Sequence, residues 1–511
     1  MLLNEDSPSA GERRKKPLFK RIRREIRRVF RRVALNFLYR NEPSREEPSA
    51  EGALDFLYRN EPLHAERRAE LDKHEVLCRR FEALWPSIRA DMLQIRDYER
   101  HLSGAASLRV TLCNNIAPPG APSVIGRAIN LVLERIPSSV EHLVVLPWLG
   151  LHGGSDRVSR LFIRALIEHY PKNRLCILGL DQGFDPPPEV REQFDCNLVS
   201  IDEFCPSASF EDRVDILDRI LIQRSPPTVH TINSYAAWAL IKERGSYFAG
   251  SVGFFGHIYA DIRIEDIARE VFWEYLPDCL DHMKGVISDN RHIVTLAERN
   301  FGFCRADMAK FFVVYTPILG VPPATNTALR PCSRNAGPPS AVWFGRFSPE
   351  KRPELAAEVA SLLPDWKFAM YGQQLAAPDM DAIRRRPNVE LRGVFGSLND
   401  LPFETFDAYF LTSSAEGVPL AMLEATRFGL PVVAPDVGAV HEFLSEETGW
   451  VVPTPEVNSP GGFAALLAAV RRDYQTAARK VDCAQRLLLE RHTWPSFKKT
   501  VAAIPGYLRP V

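Results

Sequence analysis

In the segment SSAEGVPLAMLEATRFGLPVVAPDVG, residues 413–438, two glutamates stand eight positions apart, Glu416 and Glu424. Glu416 follows an apolar run that reads as a strand. Gly417 permits an unusual backbone turn, and Pro419, between Val418 and Leu420, suits the first turn of a helix. Glu424 then lies within that helix. At 1.5 Å rise per residue the two carboxylates are separated by at most about 12 Å along the axis. An ionised acceptor makes the stronger hydrogen bond to a hydroxyl, so the pair could hold the two ends of one extended polyhydroxylated ligand.

Two further segments carry compatible chemistry. In VWFGRFSPEKRPEL a strand runs into Gly345 and Arg346, and Lys351 follows five residues later, ahead of the next helix. Two cations converging at a strand end suit a diphosphate. In LPWLGLHGGSDRVSRLF a strand is followed by Gly153, Gly154 and a helix, where backbone amides at the helix start could meet an anion. Each feature alone is ordinary: glutamates eight apart on a helix are commonly just solvated, and helix-start charges such as Asp156 and Arg157 often only complement the dipole. Their conjunction at successive strand ends is what points to a site. His257 after SVGFFG and His230 after PTV also end apolar runs, where a histidine is more often a core residue.

Short apolar runs alternating with amphipathic helices must position these residues. Strands are expected at 108–113, 142–147, 174–180, 197–201, 228–232, 251–255, 285–288 and 311–315. After a polar, proline-containing stretch at 320–340 they resume at 341–344, 367–371, 389–392, 408–411, 431–434 and 450–452. Such alternation implies βαβ units and parallel sheets. The expected fold is α/β, with two doubly wound Rossmann-like domains facing across a cleft, and ligands at the carboxyl ends of the strands.

The 511 residues exceed what one core can serve. With 45% hydrophobic and 25% charged residues the composition is that of a globular protein. The longest apolar runs, 311–314 and 430–434, are far shorter than the roughly 20 residues of a spanning helix. The start, MLLNEDSPSAGERRKK, lacks the apolar stretch of a secretory leader. Nine cysteines without a CxxC pair read as reduced thiols, and neither a disulfide framework nor a zinc site is expected.

The formal net charge is zero, with 64 basic and 64 acidic residues. Residues 1–40 nevertheless carry 13 basic against 4 acidic residues, so a basic arm precedes a mildly acidic body. Leu18, Ile22, Ile26, Val29, Val33 and Phe37 recur at helical steps between arginines, which reads as a helix lying on an anionic membrane surface through residues 13–40. Nucleic-acid binding, disfavoured, and a solvated leader are the competing readings. ALNFLYRNEP at 34–43 returns as ALDFLYRNEP at 53–62, a local tandem duplication too short for a solenoid.

Taken together and in this order, the three chemical segments resemble the retaining family-4-type glycosyltransferases of the two-domain GT-B fold, over about residues 140–505. The resemblance implies that Glu416 faces the donor sugar and Glu424 the nucleotide ribose, that Arg346 and Lys351 meet the diphosphate, and that Gly153 and Gly154 form the phosphate-side loop. It also implies that His257 lies beside the transferred sugar and that the segment around Trp494 crosses back onto the first domain. Asp156, Thr412 and Gln374 depart from the family pattern, which usually has glutamate, proline and glycine at those places.

The expected organisation is a helical extension at 1–104, a first Rossmann-like, acceptor-side domain at 105–320, and a linker at 321–340. A nucleotide-sugar-binding domain at 341–480 and a crossing helix at 481–511 complete it. The expected activity is transfer of a sugar from a nucleotide diphosphate donor to a hydroxyl of a saccharide or lipid-linked glycan, with retention, in polysaccharide or glycoconjugate synthesis. Catalysis would fall to Glu416, His257, Arg346 and Lys351. Donor binding would add Gly153, Gly154, Gly417, Val418, Pro419, Leu420 and Glu424. No metal or other cofactor is implied, and the expected location is cytoplasmic, at the inner face of a membrane. The alternative is a catalytically silent GT-B module that binds a sugar nucleotide or scaffolds polysaccharide assembly.

Overall fold

The computed structural model describes residues 124–150, 154–259, 263–264, 267–268, 272–320, 330, 332–334, 336–373, 380–395, 399 and 401–510, with helical residues 86 and 90. The chain divides into Met1–Gly120 and Ala121–Val511. The basic arm, the duplication, the expected strand at 108–113, Gly153, most of the 321–340 linker and Gln374 lie outside the described residues.

Within Ala121–Val511 the described strands run in chain order. They are β1 (His142–Leu146), β2 (Leu175–Gly179), β3 (Asn197–Ser200), β4 (Thr228–Ile232), β5 (Gly253–Ile258), the short pair β6 (Arg263–Ile264) and β7 (Ile267–Ala268), β8 (Met283–Ser288), β9 (Phe311–Val313), β10 (Ser340–Phe344), β11 (Lys367–Tyr371), β12 (Val389–Gly393), β13 (Ala408–Phe410), β14 (Val432–Pro435) and β15 (Trp450–Val452). Seven form one parallel sheet in the order β3-β2-β1-β4-β5-β8-β9, and six form a second in the order β12-β11-β10-β13-β14-β15. Each order reverses once, between β1 and β4 and between β10 and β13. At those points the loops after the strands splay apart and leave a crevice for ligands.

Both sheets are covered on both faces, which is why their strands read as continuous apolar runs rather than alternating ones. Leu143 and Val145 of β1 join one core cluster, whereas Val144 and Leu146 join another. In β10, Val342 and Phe344 face one way and Ala341 and Trp343 the other. Helix Tyr474–Arg491 contributes Ala484 and Leu488 to the second sheet's core. The chain then crosses: Phe497, Val501, Ile504 and Tyr507 pack with Val144, Phe162 and Phe255 against the first sheet. At the crossing, buried His492 bonds Thr316 O through Nδ1 at 2.8 Å, and its own carbonyl accepts from Ile318 N at 2.9 Å.

Most expected strands appear within a residue or two of their places. β5 is the informative exception. It extends through Ile258 because its backbone stays paired on both sides, with His257 opposite Ile232 of β4 and Ile287 of β8. The ring of His257 is therefore carried into the core instead of standing at a strand end.

Candidate active site

The segment after β10 builds one wall. A 3-10 turn, Pro349–Lys351, is followed by Arg352 in the left-handed region (φ 50°) and by Pro353 at the start of helix Pro353–Leu362. That strained residue is held by its own side chain, which bonds Thr412 O and Ser413 O at the end of β13, the latter at 2.8 Å. Thr412 Oγ1 answers by donating toward the carbonyls of Lys351 (2.8 Å) and Arg352 (3.0 Å), and it accepts from Trp343 Nε1 at 3.0 Å. Thr412, where the family pattern has proline, thus ties the two carboxyl-end loops together.

This bracing delivers Lys351 to Glu416. Lys351 Nζ donates to Glu416 Oε1, and Ser413 Oγ donates to the same oxygen at 2.6 Å. The Glu416 side chain is 10% exposed. Gly438 passes beneath with φ 53°, and a Cβ there would lie 1.9 Å from Glu416 O, so only glycine fits. Burial, with the Glu416 charge nearby, pushes the phenol of Tyr409 on β13 well above its usual range. Arg346 sits farther out, half exposed, and reaches Glu350 Oε1 at 3.3 Å; Ser348 donates to that oxygen at 2.6 Å.

Gly417 leads from Glu416 toward the first sheet. A Cβ on it would come within 3.4 Å of Asn290 Nδ2 and 3.5 Å of Asp289 Oδ1, beyond the end of β8. Val418 is buried, Pro419 opens the next helix, and Leu420 packs at the edge of the second core. In helix Leu420–Arg427 the Glu424 carboxylate is almost fully buried. It accepts from Arg427 Nη1 at 3.3 Å and, across the cleft, from Arg157 Nη2 at 2.7 Å. Gly154 opens helix Gly154–His169, and no described residue lies within 4 Å of where its Cβ would stand. Asp156, in the first turn of that helix, accepts from Gly150 N at 2.7 Å.

A second bridge fixes the two sheets farther from the carboxylates. Glu442 accepts from the amides of Arg291 (3.0 Å) and His292, at the start of helix Arg291–Phe301, and from Tyr315 Oη at 2.9 Å. An acidic side chain at a helix N-terminus is well placed for free amides and dipole alike.

The structure thus gathers Glu416, Lys351, Glu424 and Gly417 around one cleft, with Arg157 of the Gly154–His169 helix reaching Glu424 and Arg346 at the rim. His257 is not brought to this set. It is fully buried, its ring stacks on Tyr259 at 4.4 Å, and Phe162 meets it edge-on at 5.1 Å. Neither ring nitrogen has a hydrogen-bond partner among the described residues, and burial pushes its pKa down to about 3. Its link to the site is indirect: Tyr259 O accepts from Asn290 Nδ2 at 2.7 Å, and Asn290 adjoins Gly417. His230 is likewise buried and shares a 2.8 Å hydrogen bond with Tyr507. Sequence reasoning left out Arg427, Ser413, Glu350, Arg352, Asp289 and Glu442, and it gave Arg157 no role beyond the helix start. Among the described residues no group of three or more His, Cys, Asp or Glu is placed to hold a metal, and no helix is long and apolar enough to cross a membrane.

Two parallel, doubly wound sheets facing one cleft are the GT-B architecture. Residues 338–473, which hold Arg346, Lys351, Glu416 and Glu424, match the family described as glycosyl transferases group 1. Over 117 residues the chain is 28% identical to the O-antigen biosynthesis glycosyltransferase WbnH of Escherichia coli, covering 22% of this chain and 33% of that one. It is 27% identical over 159 residues to an Escherichia coli UDP-Gal:alpha-D-GlcNAc-diphosphoundecaprenol alpha-1,3-galactosyltransferase, covering 29% and 40%. The chain therefore spans 33% to 40% of the length of these curated relatives. Among solved structures, Anabaena HepE in complex with UDP-glucose superposes with a TM-score of 0.56 at 15% identity, covering 72% of this chain and all of that one. Sucrose-phosphate synthase from Thermosynechococcus elongatus gives 0.55 at 14% identity, covering 71% and 97%.

Proposed function

We propose that the protein moves a sugar from a nucleotide diphosphate donor to a hydroxyl of a saccharide or lipid-linked glycan, with retention of anomeric configuration. The observation that carries this reading is the Lys351–Glu416–Ser413 cluster at the carboxyl ends of β10 and β13, with Glu424 one helix away in the same cleft. Glycosyl transfer develops positive charge at the anomeric carbon and negative charge on the departing diphosphate. Lys351 and, from the rim, Arg346 oppose the second charge, and fixed cations in a site closed to water do so without reorganising. Glu416, held by its Oε1, orients a sugar hydroxyl near the first. Glu424 accepts from the ribose. In this reading His257 shapes the floor of the site from below, through Tyr259 and Asn290, and the protein's own cations take the place of a metal ion.

Support for the substrate class comes from the UDP-glucose bound by HepE and from the glycan and undecaprenol-linked substrates in the names of the relatives. The test is release of nucleoside diphosphate from a panel of nucleotide sugars with diphosphoundecaprenol-linked acceptors, and the anomeric configuration of the product by NMR. A protein that binds a nucleotide sugar but releases no diphosphate with any acceptor would be the silent GT-B module instead. The basic arm extends the reading: residues 13–40 hold the enzyme to the anionic inner face of a membrane, where a lipid-linked acceptor resides. Deleting residues 1–40 then abolishes co-sedimentation with anionic liposomes, each lost basic residue costing about 1 kcal/mol.

A further inference from the structure

Arg157 occupies the first turn of helix Gly154–His169, the positive end of the helix dipole, where a cation is disfavoured. A local rule broken at such a place marks a residue whose use lies elsewhere. Its guanidinium spans 267 positions of sequence to reach Glu424 Oε1 at 2.7 Å. The other carboxylate oxygen belongs to Arg427, three residues along the same helix, at 3.3 Å. One oxygen is thus fixed from within the second sheet's own helix and the other, among the described residues, from the opposite side of the cleft. The side chains of Arg157, Glu424 and Arg427 are 21%, 5% and 13% exposed, so solvent screens the pairing little.

A carboxylate oxygen offers two lone pairs. With one of each committed to an arginine, Glu424 keeps one acceptor site per oxygen, both set in direction, which matches two adjacent hydroxyls. Resting on the reading of Glu424 as the ribose carboxylate, we propose that Arg157 is a positioning residue. It reaches over from the first sheet to orient Glu424, so that the cis-diol of a ribonucleoside diphosphate is gripped only where the two sheets meet. Discrimination between ribose and 2′-deoxyribose then depends on a side chain of the domain that does not carry the ribose site.

Calorimetric titration of the full chain with UDP, GDP and ADP, each beside its 2′-deoxy counterpart, tests this. In the wild type the preferred ribonucleotide binds about 10- to 100-fold more tightly than its 2′-deoxy form, the usual value of a hydrogen bond to a charged group. Arg157→Ala reduces that ratio to within about 2-fold of unity, Arg157→Lys keeps part of it, and Arg157→Ala adds nothing once Glu424 is Gln. If Arg157→Ala keeps the full 2′-deoxy penalty, or weakens both nucleotides equally, the inference falls while the ribose role of Glu424 stands. The same holds if its effect adds in full to that of Glu424→Gln. If the wild type shows no 2′-hydroxyl dependence with any of the three nucleotides, the reading of Glu424 falls, and the inference with it.

Discussion

The buried histidines make the fold acid-sensitive in a way that can be calculated. Burial takes His257 down to about 3 and His492 to about 4; His492 is lowered further by Arg491 and partly supported by its bond to Thr316. His142 and His230 are also held well below the ordinary range, by burial first and by neighbouring histidines second. The rings of His230 and His257 stack 5.6 Å apart, so charging one opposes charging the other. An unfolded histidine titrates near 6.5, hence between pH 6.5 and 3 the unfolded chain binds a proton at His257 that the fold excludes. Stability therefore rises with pH across that window, is fully present above it, and is lost as pH falls through 6.5. At pH 5 His257 and His492 each cost about 2 kcal/mol relative to pH 8, a large part of an ordinary domain's 5–15 kcal/mol. The assay is denaturant unfolding of wild type, His257→Phe and His492→Gln at pH 8 and pH 5. Each variant should lose about 2 kcal/mol less than wild type on acidification. Taking the difference cancels carboxylates such as Asp181, whose pKa burial raises and whose contribution has the opposite sign. Equal pH dependence in wild type and His257→Phe would refute the burial argument.

The cations and the backbone give two shorter tests. Lys351→Ala should lower turnover on the order of 10²- to 10³-fold, and Arg346→Ala less because its side chain is half exposed; equal rates in both variants and wild type would remove them from charge stabilisation. Gly438→Ala drives a Cβ against Glu416 O and adds the left-handed penalty of about 1 kcal/mol or more, so turnover and melting temperature should fall together; a wild-type melt would show that the loop relaxes freely.

Much of the fold was legible because strands buried on both faces are uninterrupted apolar runs, as HLVVL in β1 and SAVWF in β10 show. The β6–β7 pair was not, since two-residue strands carry no periodic signal. The charged residues of the second domain were legible because glycine, proline and strand ends fix their places locally. The partners of Glu424 and Glu442 were not: Arg157 is 267 positions from Glu424 and Arg291 is 151 from Glu442, and no sequence spacing encodes such a pairing. His257 is a different case. Taken alone it reads as a core residue, and only the family resemblance places it beside the transferred sugar; continued pairing with Ile232 and Ile287 keeps the strand going, and the ring is buried.

Glu416 allows a substitution that separates structure from chemistry. Lys351 and Ser413 both donate to its Oε1, and among the described residues none donates to Oε2. In Glu416→Gln the amide oxygen can take over the Oε1 position, because only that orientation keeps two donors facing an acceptor. The amide nitrogen then points where Oε2 was, which in the proposed function is the side of the donor sugar. The protein side of the site keeps its hydrogen bonds, at the reduced strength of a neutral acceptor. The ligand side loses an acceptor and its charge and gains a donor. Hydrogen bonds from a sugar hydroxyl strengthen as positive charge grows at the anomeric carbon, so the loss falls mainly on the transition state. kcat and kcat/KM should drop together, while donor KM and melting temperature change little. If Glu424 holds the ribose as proposed, Glu424→Gln should behave differently, raising donor KM with a smaller effect on kcat, since that sugar would be held alike in ground and transition states. If Glu416→Gln raises KM at unchanged kcat, Glu416 grips the donor uniformly, and its place beside the reacting carbon is wrong.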